Sequence, residues 1–445
     1  MKMQWKRITA VFLAALLMLT VVGNAASIYA ESASPFNRIM DILKQNTGEP
    51  ETGEDYLELA NIAIGQKEYS AALDYLQKGK EILGKEDNVT LSTMWLKSAS
   101  IYAIQGDTAT ALEHLNQAIE LNQESASAYL LRAQIYLADQ KNDQAAMDLK
   151  AYTALAPTDF NTRLTLAQLY ESMKRYSEAQ GEYKAIYQDQ PDNDAMILNA
   201  NRCLFLDGQY NEALAAFEEY LTSHASAEKE YRSVASFLKA ACLMQLTRYP
   251  EAIKGFEEAL EEGYAQADCY EQLMACAFES GASEKVIQYG KKAEKLTMPS
   301  WALFYQRMGI SYMQLKKNDD AIKNLTKSLS YDEKLSGTYY YRGLVWMAQE
   351  KYQKAVDDLT QSIEQKAVLE YSYYNRAVCY VQLLNYEAAV DDLGQVMTTG
   401  SNEELKTSAK DILWQLAQYY EQQETNASEK TDQPTEKKPK DEKDK

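Results

Sequence analysis

Histidine is almost absent from this chain: two in 445 residues, His114 and His224. His114 follows Glu113 and His224 falls in a polar stretch, so both read as solvent-facing rather than as bases or metal ligands. A Gly-rich phosphate loop, an HExxH, a CxxC and a GxSxG elbow are missing too. That removes the short motifs of nucleotide, zinc, redox and nucleophile chemistry. Basic residues are in deficit, 46 against 65 acidic, for a net charge of −19. Nucleic acid and anionic membrane surfaces select basic patches, so neither is expected as a partner. An acidic exterior suits solubility and steers basic partners toward it. Carboxylates recur in adjacent pairs, Asp357–Asp358, Asp391–Asp392 and Glu218–Glu219, always on the outer face of a second helix; that is the pattern of a solvated face, not of acid–base catalysis. With no catalytic constellation and no cofactor motif, the chain is expected to be non-enzymatic.

What the chain does have is a repeat. Between Ser336 and Lys366 two amphipathic patterns flank a polar turn near Gln349–Lys351. Tyr339, Arg342, Gly343 and Trp346 fall at i, i+3, i+4 and i+7, one face of a helix, and Tyr352, Ala355, Leu359 and Ser362 form the second face. Gly343 and Ala355 let the two backbones approach, and Trp346 and Leu359 fill the space beside them. Such a hairpin cannot cover its own apolar faces and needs copies on either side.

The copies follow. Taking Ala355 as the reference, its equivalents are Ala72, Ala111, Ala145, Ala179, Ala213, Ala252, Val286, Ala321 and Ala389, mostly 34 residues apart, with one step of 35 and two of 39. Twelve residues before each is a second small site: Ala60, Ala99, Ala133, Ala167, Ala240, Gly309, Gly343 and Ala377, broken by Asn201 and Met274. Nine before is often aromatic (Tyr102, Tyr136, Tyr170, Tyr312, Trp346, Tyr380), and three before is often tyrosine. Pro157 and Pro191 end their repeats, since proline cannot continue a helix. Near Val286 the usual large apolar residue is replaced by Gly290, which predicts local looseness there.

This register resembles the tetratricopeptide repeat (TPR) family, built from helix–turn–helix hairpins of about 34 residues. The resemblance covers residues 53–400 and implies an all-α chain, an α-solenoid wound as a right-handed superhelix of about ten units. Residues 401–423 then supply a capping helix, with Ser401–Asn402 at its start and Leu405, Ile412, Leu413, Leu416 and Tyr419 on one face. Residues 424–445 lack apolar periodicity and are expected to be a disordered charged tail.

The N-terminus differs in kind. Lys2, Lys6 and Arg7 precede Ile8–Val22, a largely apolar run of 15 residues, and small residues follow at Gly23, Ala25, Ala26 and Ala30. Residues 1–30 therefore read as a secretory signal peptide or, if uncleaved, as a membrane anchor, though the run is short of the ~18 residues of a spanning helix. Residues 31–52 are a linker. Either reading places the repeats outside the cytoplasmic membrane, secreted or held at the envelope, with the membrane touched only through this segment.

Five cysteines remain, an odd number. Cys203, Cys242, Cys276 and Cys379 share one place in four repeats, so neighbouring copies are separated by about one helix diameter, ~10 Å, beyond the ~7 Å Cα limit of a disulfide. Cys269 is seven residues from Cys276 on one helix, again too far. All five read as small buried apolar residues, and no metal site is expected.

In the TPR family the first-helix face at 15, 11 and 8 residues before the reference lines a concave groove that takes peptides or partner helices. Here that face carries Ile310 and Met313, then Tyr340, Leu344 and Met347, then Tyr374 and Val378, with Tyr371 one turn earlier. Phe237, Met244, Leu198 and Phe205 stand in the same register earlier in the chain. Apolar residues of this kind mark interaction sites, and tyrosine and methionine give large, adaptable contact area. The competing use is packing between neighbouring first helices. The Lys/Asn/Arg clamp by which some relatives hold an acidic C-terminal carboxylate is not evident. The expected role is a scaffold or assembly factor for a protein or peptide ligand; an envelope-anchored spacer and a regulatory subunit recruiting an enzyme on another chain are the alternatives. The sequence leaves the oligomeric state open.

Overall fold

The computed structural model describes residues 52–84 and 87–431, with side chains described as far as 424. The expected signal peptide or anchor, nearly all of the linker, and residues 432–445 lie outside the described residues. Among the described residues there are twenty-one α-helices and no strand. The first ten are α1 (Gly53–Gly65), α2 (Tyr69–Leu83), α3 (Asn88–Gln105), α4 (Thr108–Leu121), α5 (Ala126–Ala138), α6 (Asn142–Leu155), α7 (Phe160–Ser172), α8 (Tyr176–Asp189), α9 (Asp194–Leu206) and α10 (Tyr210–Ser223). The second ten are α11 (Lys229–Gln245), α12 (Tyr249–Glu261), α13 (Gln266–Glu279), α14 (Ser283–Ala293), α15 (Trp301–Gln314), α16 (Asn318–Tyr331), α17 (Thr338–Ala348), α18 (Tyr352–Glu364), α19 (Leu369–Gln382) and α20 (Tyr386–Thr399). They form ten hairpins, and α21 (Glu403–Thr431) follows. Two compact units divide the chain after Ala216, within α10.

The repeat register is also a burial register. All ten reference residues, Val286 included, are 0% exposed. Each hairpin turns through one residue with positive φ, five before the reference: Lys67, Gly106, Gln140, Lys174, Gly208, Thr247, Gly281, Lys316, Glu350 and Leu384. The following amide then donates back across the helix end, as from Lys351 N to Trp346 O at 2.9 Å and from Asn385 N to Tyr380 O at 2.8 Å. That is the left-handed C-terminal cap, which satisfies carbonyls the helix itself leaves open. Close approach fixes the small residue of the first helix. A Cβ on Gly343 would meet Leu359 Cγ at 3.0 Å, and one on Gly309 would meet Leu325 Cγ at 2.6 Å. Where Asn201 breaks the small-residue rule it is buried, and its Nδ2 donates to Ala216 O at 3.2 Å.

Unit 1 stacks α1 to α9 in chain order, each helix on its neighbour, around a core that includes Leu149, Leu166, Tyr183 and Ile186. Unit 2 stacks α11 to α21 in the same way. In it the first helices of successive hairpins, α13, α15, α17 and α19, also touch each other, and α21 continues the row. Ala409 and Leu416 of α21 join Ala389, Leu393 and Val396 of α20 in one apolar cluster. Its start is pinned by Glu370, whose carboxylate accepts from Asn402 N at 2.7 Å and from Ser401 Oγ at 3.3 Å.

Four expectations change. One member of each aspartate pair is not solvated: Asp358 and Asp392 are buried, like Asp148, and each is held by an arginine sixteen residues earlier. Their phase explains this, because three residues after a buried alanine the helix still faces inward. The site near Gly290 is not loose. Met308 from the next hairpin fills the space a side chain at Gly290 would take, and both residues are buried. His114 is half-buried, edge-on to Trp95 and Tyr102 at centroid distances of 4.7 and 5.1 Å, and burial followed by nearby Lys80 lowers its pKa. His224 is half-buried as well, stacked on Tyr220 at 4.6 Å. Finally, α21 runs on to Thr431 rather than ending near Gln423. Residues 424–431 have no apolar face, but they hold no Pro or Gly and include Glu, Ala and Lys, good helix formers.

Candidate functional site

The groove residues expected from the sequence all belong to unit 2, on α15, α17 and α19. The most open is Tyr371, 40% exposed. Its hydroxyl accepts from Nδ2 of Asn402, just before α21, at 2.9 Å, and its carbonyl accepts from Asn375 Nδ2 at 2.8 Å. Tyr340 of α17 is half-buried and lies edge-on to Tyr341 at 5.4 Å. Burial is the main cause that raises its phenol pKa; Tyr341 and Tyr371 add to this, and a hydrogen bond with Asn375 works against it. The structure therefore brings Tyr340, Tyr371 and Asn375 together from two successive hairpins.

The remaining residues divide by burial. Tyr340 and Met347 rest on the cluster of Ala355, Val356, Leu359 and Cys379, and Tyr374 rests on the next cluster, around Ala377 and Ala389. Leu344, Val378 and Met313 are half-buried. Ile310 is 4% exposed. At that burial its side chain offers almost no surface, so it drops out of the groove. In the same register elsewhere, Leu198 is buried, and Phe237 is covered by Tyr264, stacked at 4.1 Å, and Phe256, edge-on at 5.1 Å.

One polar member of the register was overlooked in the sequence. Gln306, fifteen residues before Ala321 and so equivalent to Tyr340 and Tyr374, is buried. Its Nε2 donates to Ser336 O at 2.9 Å and to Thr338 Oγ1 at 2.7 Å, tying α15 to the start of α17. Reading the column for polar as well as apolar residues would have found it.

The cations beside the groove are committed. Arg342 Nε and Nη2 donate to the two oxygens of Asp358 at 2.8 and 2.7 Å, while Nη1 reaches Thr326 Oγ1 of the preceding hairpin at 3.1 Å. Arg376 repeats the arrangement with Asp392, both at 2.8 Å, and Thr360, also at 2.8 Å. Arg132, Asp148 and Asn116 do the same in unit 1, all at 2.7 Å. These guanidiniums join hairpins and leave α17 and α19 without an arginine for a ligand carboxylate. All five cysteines are buried and unpaired. Among the described residues no cluster of His, Cys, Asp and Glu could hold a metal ion, and no helix is long and apolar enough to cross a membrane.

Hairpins stacked on their neighbours within each unit define an α-solenoid of the repeat class. Family models described as TPR repeat and tetratricopeptide repeat match residues 99–140 and 302–335, and one described as anaphase-promoting complex, cyclosome, subunit 3 matches 182–259. The chain is a tetratricopeptide repeat protein. It is similar to DnaJ homolog subfamily C member 3 of Gallus gallus, 25% identical over 228 residues, or 51% of this chain and 40% of that protein. It is similar also to the Hsp70-Hsp90 organizing protein of Triticum aestivum, 26% identical over 239 residues, 51% of this chain and 38% of that one. The matches thus span well under half of these relatives' own length. Among solved structures, the C-terminal part of a TPR repeat-containing protein from Cytophaga hutchinsonii matches with a TM-score of 0.45 and 16% identity, over 55% of this chain and 98% of that one. A tetratricopeptide repeat protein from Parabacteroides merdae matches with a TM-score of 0.30 and 14% identity, over 59% and 99%.

Proposed function

We propose that this chain is a non-enzymatic protein-binding scaffold that holds an extended segment of a partner in the unit-2 groove, against Tyr340, Tyr371 and Tyr374 with Leu344, Met347, Val378 and Met313. The carrying observation is Tyr371, a large ring left open beside the Tyr340 phenol, with its hydroxyl held by Asn402. A ring already held in place gives contact area at little ordering cost, which is where affinity is otherwise lost. The relatives support the scaffold class: one is named for organizing Hsp70 and Hsp90. The ligand chemistry here differs from an acidic tail. Arg342 and Arg376 are engaged by Asp358 and Asp392, and the chain carries a net charge of −19. An apolar or basic segment suits the groove better.

The site of action in this reading is outside the cytoplasmic membrane, on the strength of the basic start, apolar run and small residues of 1–30. Mass spectrometry of the N-terminus of the native protein tests this: a start between Ala26 and Glu31 supports export with cleavage, and a cytoplasmic chain beginning at Met1 ends the idea. For the groove, peptides selected from a random display library on the whole protein are titrated onto wild type and Tyr371→Ala/Tyr374→Ala. Equal affinity would remove the groove from the account.

A further inference from the structure

Among the described residues, nine other than glycine take positive φ. Seven are hairpin turns, and Lys366 ends α18 in the same way, with Ala367 N donating back to Ser362 O at 2.9 Å. Val368 alone has no such role. It precedes α19 with φ 49° and ψ 43° and gives that helix no side-chain cap. A β-branched residue is strained in the left-handed region, whereas a helix start favours Ser, Thr, Asp or Asn in extended backbone. Strain of this kind persists only where the surroundings over-determine it.

Here they do so on both sides. Before Val368, Ala367 is buried, and its carbonyl accepts from Ser362 Oγ at 2.8 Å and from Ser372 Oγ at 3.3 Å. Both serines are fully buried, with their hydroxyls 2.9 Å apart. After Val368, Ser372 N donates to Val368 O at 2.9 Å and closes the first turn of α19. That turn carries Glu370 and Tyr371, and both hold Asn402. The Glu370 carboxylate accepts from Asn402 N at 2.7 Å, and the Tyr371 hydroxyl accepts from Asn402 Nδ2 at 2.9 Å. Asn402 Oδ1 in turn accepts from Leu405 N at 3.0 Å and caps α21. Val368 thus stands at the root of a chain of bonds that runs from the end of α18 to the start of α21. If its backbone relaxes, the Ser372–Val368 bond is lost, and with it the turn that aims Glu370 and Tyr371.

We propose that residues 366–371 form a strained latch with two states, which regulates the Tyr371 site. Closed, Val368 is left-handed and Glu370 and Tyr371 hold Asn402. Open, Val368 returns to negative φ, the first turn of α19 frays, and the start of α21 is released. The regulatory half rests on the groove reading: a ligand packed on the Tyr371 ring selects the closed state and so tightens α21. By linkage, release of α21 weakens that ligand by the same factor.

Amide exchange of the full chain without ligand tests the latch. The amides of Ser372, Asn402 and Leu405 are bonded in the closed state, so they should exchange through one shared opening. Val368→Asn relieves the left-handed strain and should slow all three about 5- to 10-fold relative to α18. Leu384→Asn relieves the same strain at a turn outside the latch and should leave the three unchanged. Asn402→Ala frees the Tyr371 hydroxyl and should speed exchange at Ser372, on the other helix. A library-selected peptide that contacts Tyr371 should slow the same three amides. No slowing in Val368→Asn, or a Ser372 amide indifferent to Asn402→Ala, would overturn the latch. Amides that respond together while peptides bind wild type and Tyr371→Ala/Tyr374→Ala equally would support the latch and remove the groove reading.

Discussion

Arg342 closes a two-pronged ion pair on Asp358, at 2.8 and 2.7 Å, across the two helices of one hairpin, and its third nitrogen reaches back to Thr326 of the hairpin before. Burying both charges is costly, so the pair specifies hairpin spacing more than it adds net stability. Breaking it from one side is another matter. Asp358→Ala strands a guanidinium, and the expected loss is about 3–5 kcal/mol in urea unfolding. Arg342→Met/Asp358→Leu should recover most of it. A single variant as stable as wild type would contradict the pairing.

The docking of α21 should depend on pH. Glu370 has its carboxyl pKa lowered from 4.5, first by the Asn402 amide and then by Ser401. A depressed carboxylate contributes stability that is present above its unfolded pKa and is lost as pH falls through the lower, folded value. Amide exchange over the first turn of α21 should therefore speed up below about pH 4.5, relative to α18. In Glu370→Gln that acid-dependent step should disappear; an unchanged step would assign it to another group.

Leu384 sits in the left-handed turn position of the last hairpin, with φ of 58° and 72% exposed. A branched apolar side chain gains nothing from solvent there and carries the steric cost of that conformation. Leu384→Asn, which tolerates positive φ, should raise stability by about 0.5–1 kcal/mol in thermal unfolding. A fall in midpoint would show that Leu384 makes a contact that matters.

The buried thiols should be chemically silent. Burial pushes Cys242, Cys269 and Cys379 up to about 12, and thiolate, not thiol, is the nucleophile. Native protein at pH 8 is expected to react with Ellman's reagent only over hours, and unfolded protein to release the full signal at once. Fast labelling of the native chain would contradict the burial of these helices.

The spacing of small and aromatic residues carried the hairpin register, because the same residue must fit the same helix crossing in every copy; Ala72, Val286 and Ala389 are equally buried although their flanks differ. What it missed lies between copies. Met308 closing over Gly290 joins two hairpins, and no single repeat shows it. Adjacency alone makes Asp358 resemble its solvated neighbour Asp357; helical phase separates them, turning Asp358 inward. Ile310 and Tyr371 both fall on the first-helix face that read as groove. How far each is covered depends on the angle between successive first helices, a quantity the local pattern does not contain.

The most direct test of the account is hydrogen exchange over the whole chain, with and without a library-selected peptide. Protection gained over 340–347 and 371–378, with the second helices α18 and α20 unchanged, is the expected result. Protection confined to the outer helices, or none in α17 and α19 at saturating peptide, would contradict a groove built on Tyr340, Tyr371 and Tyr374.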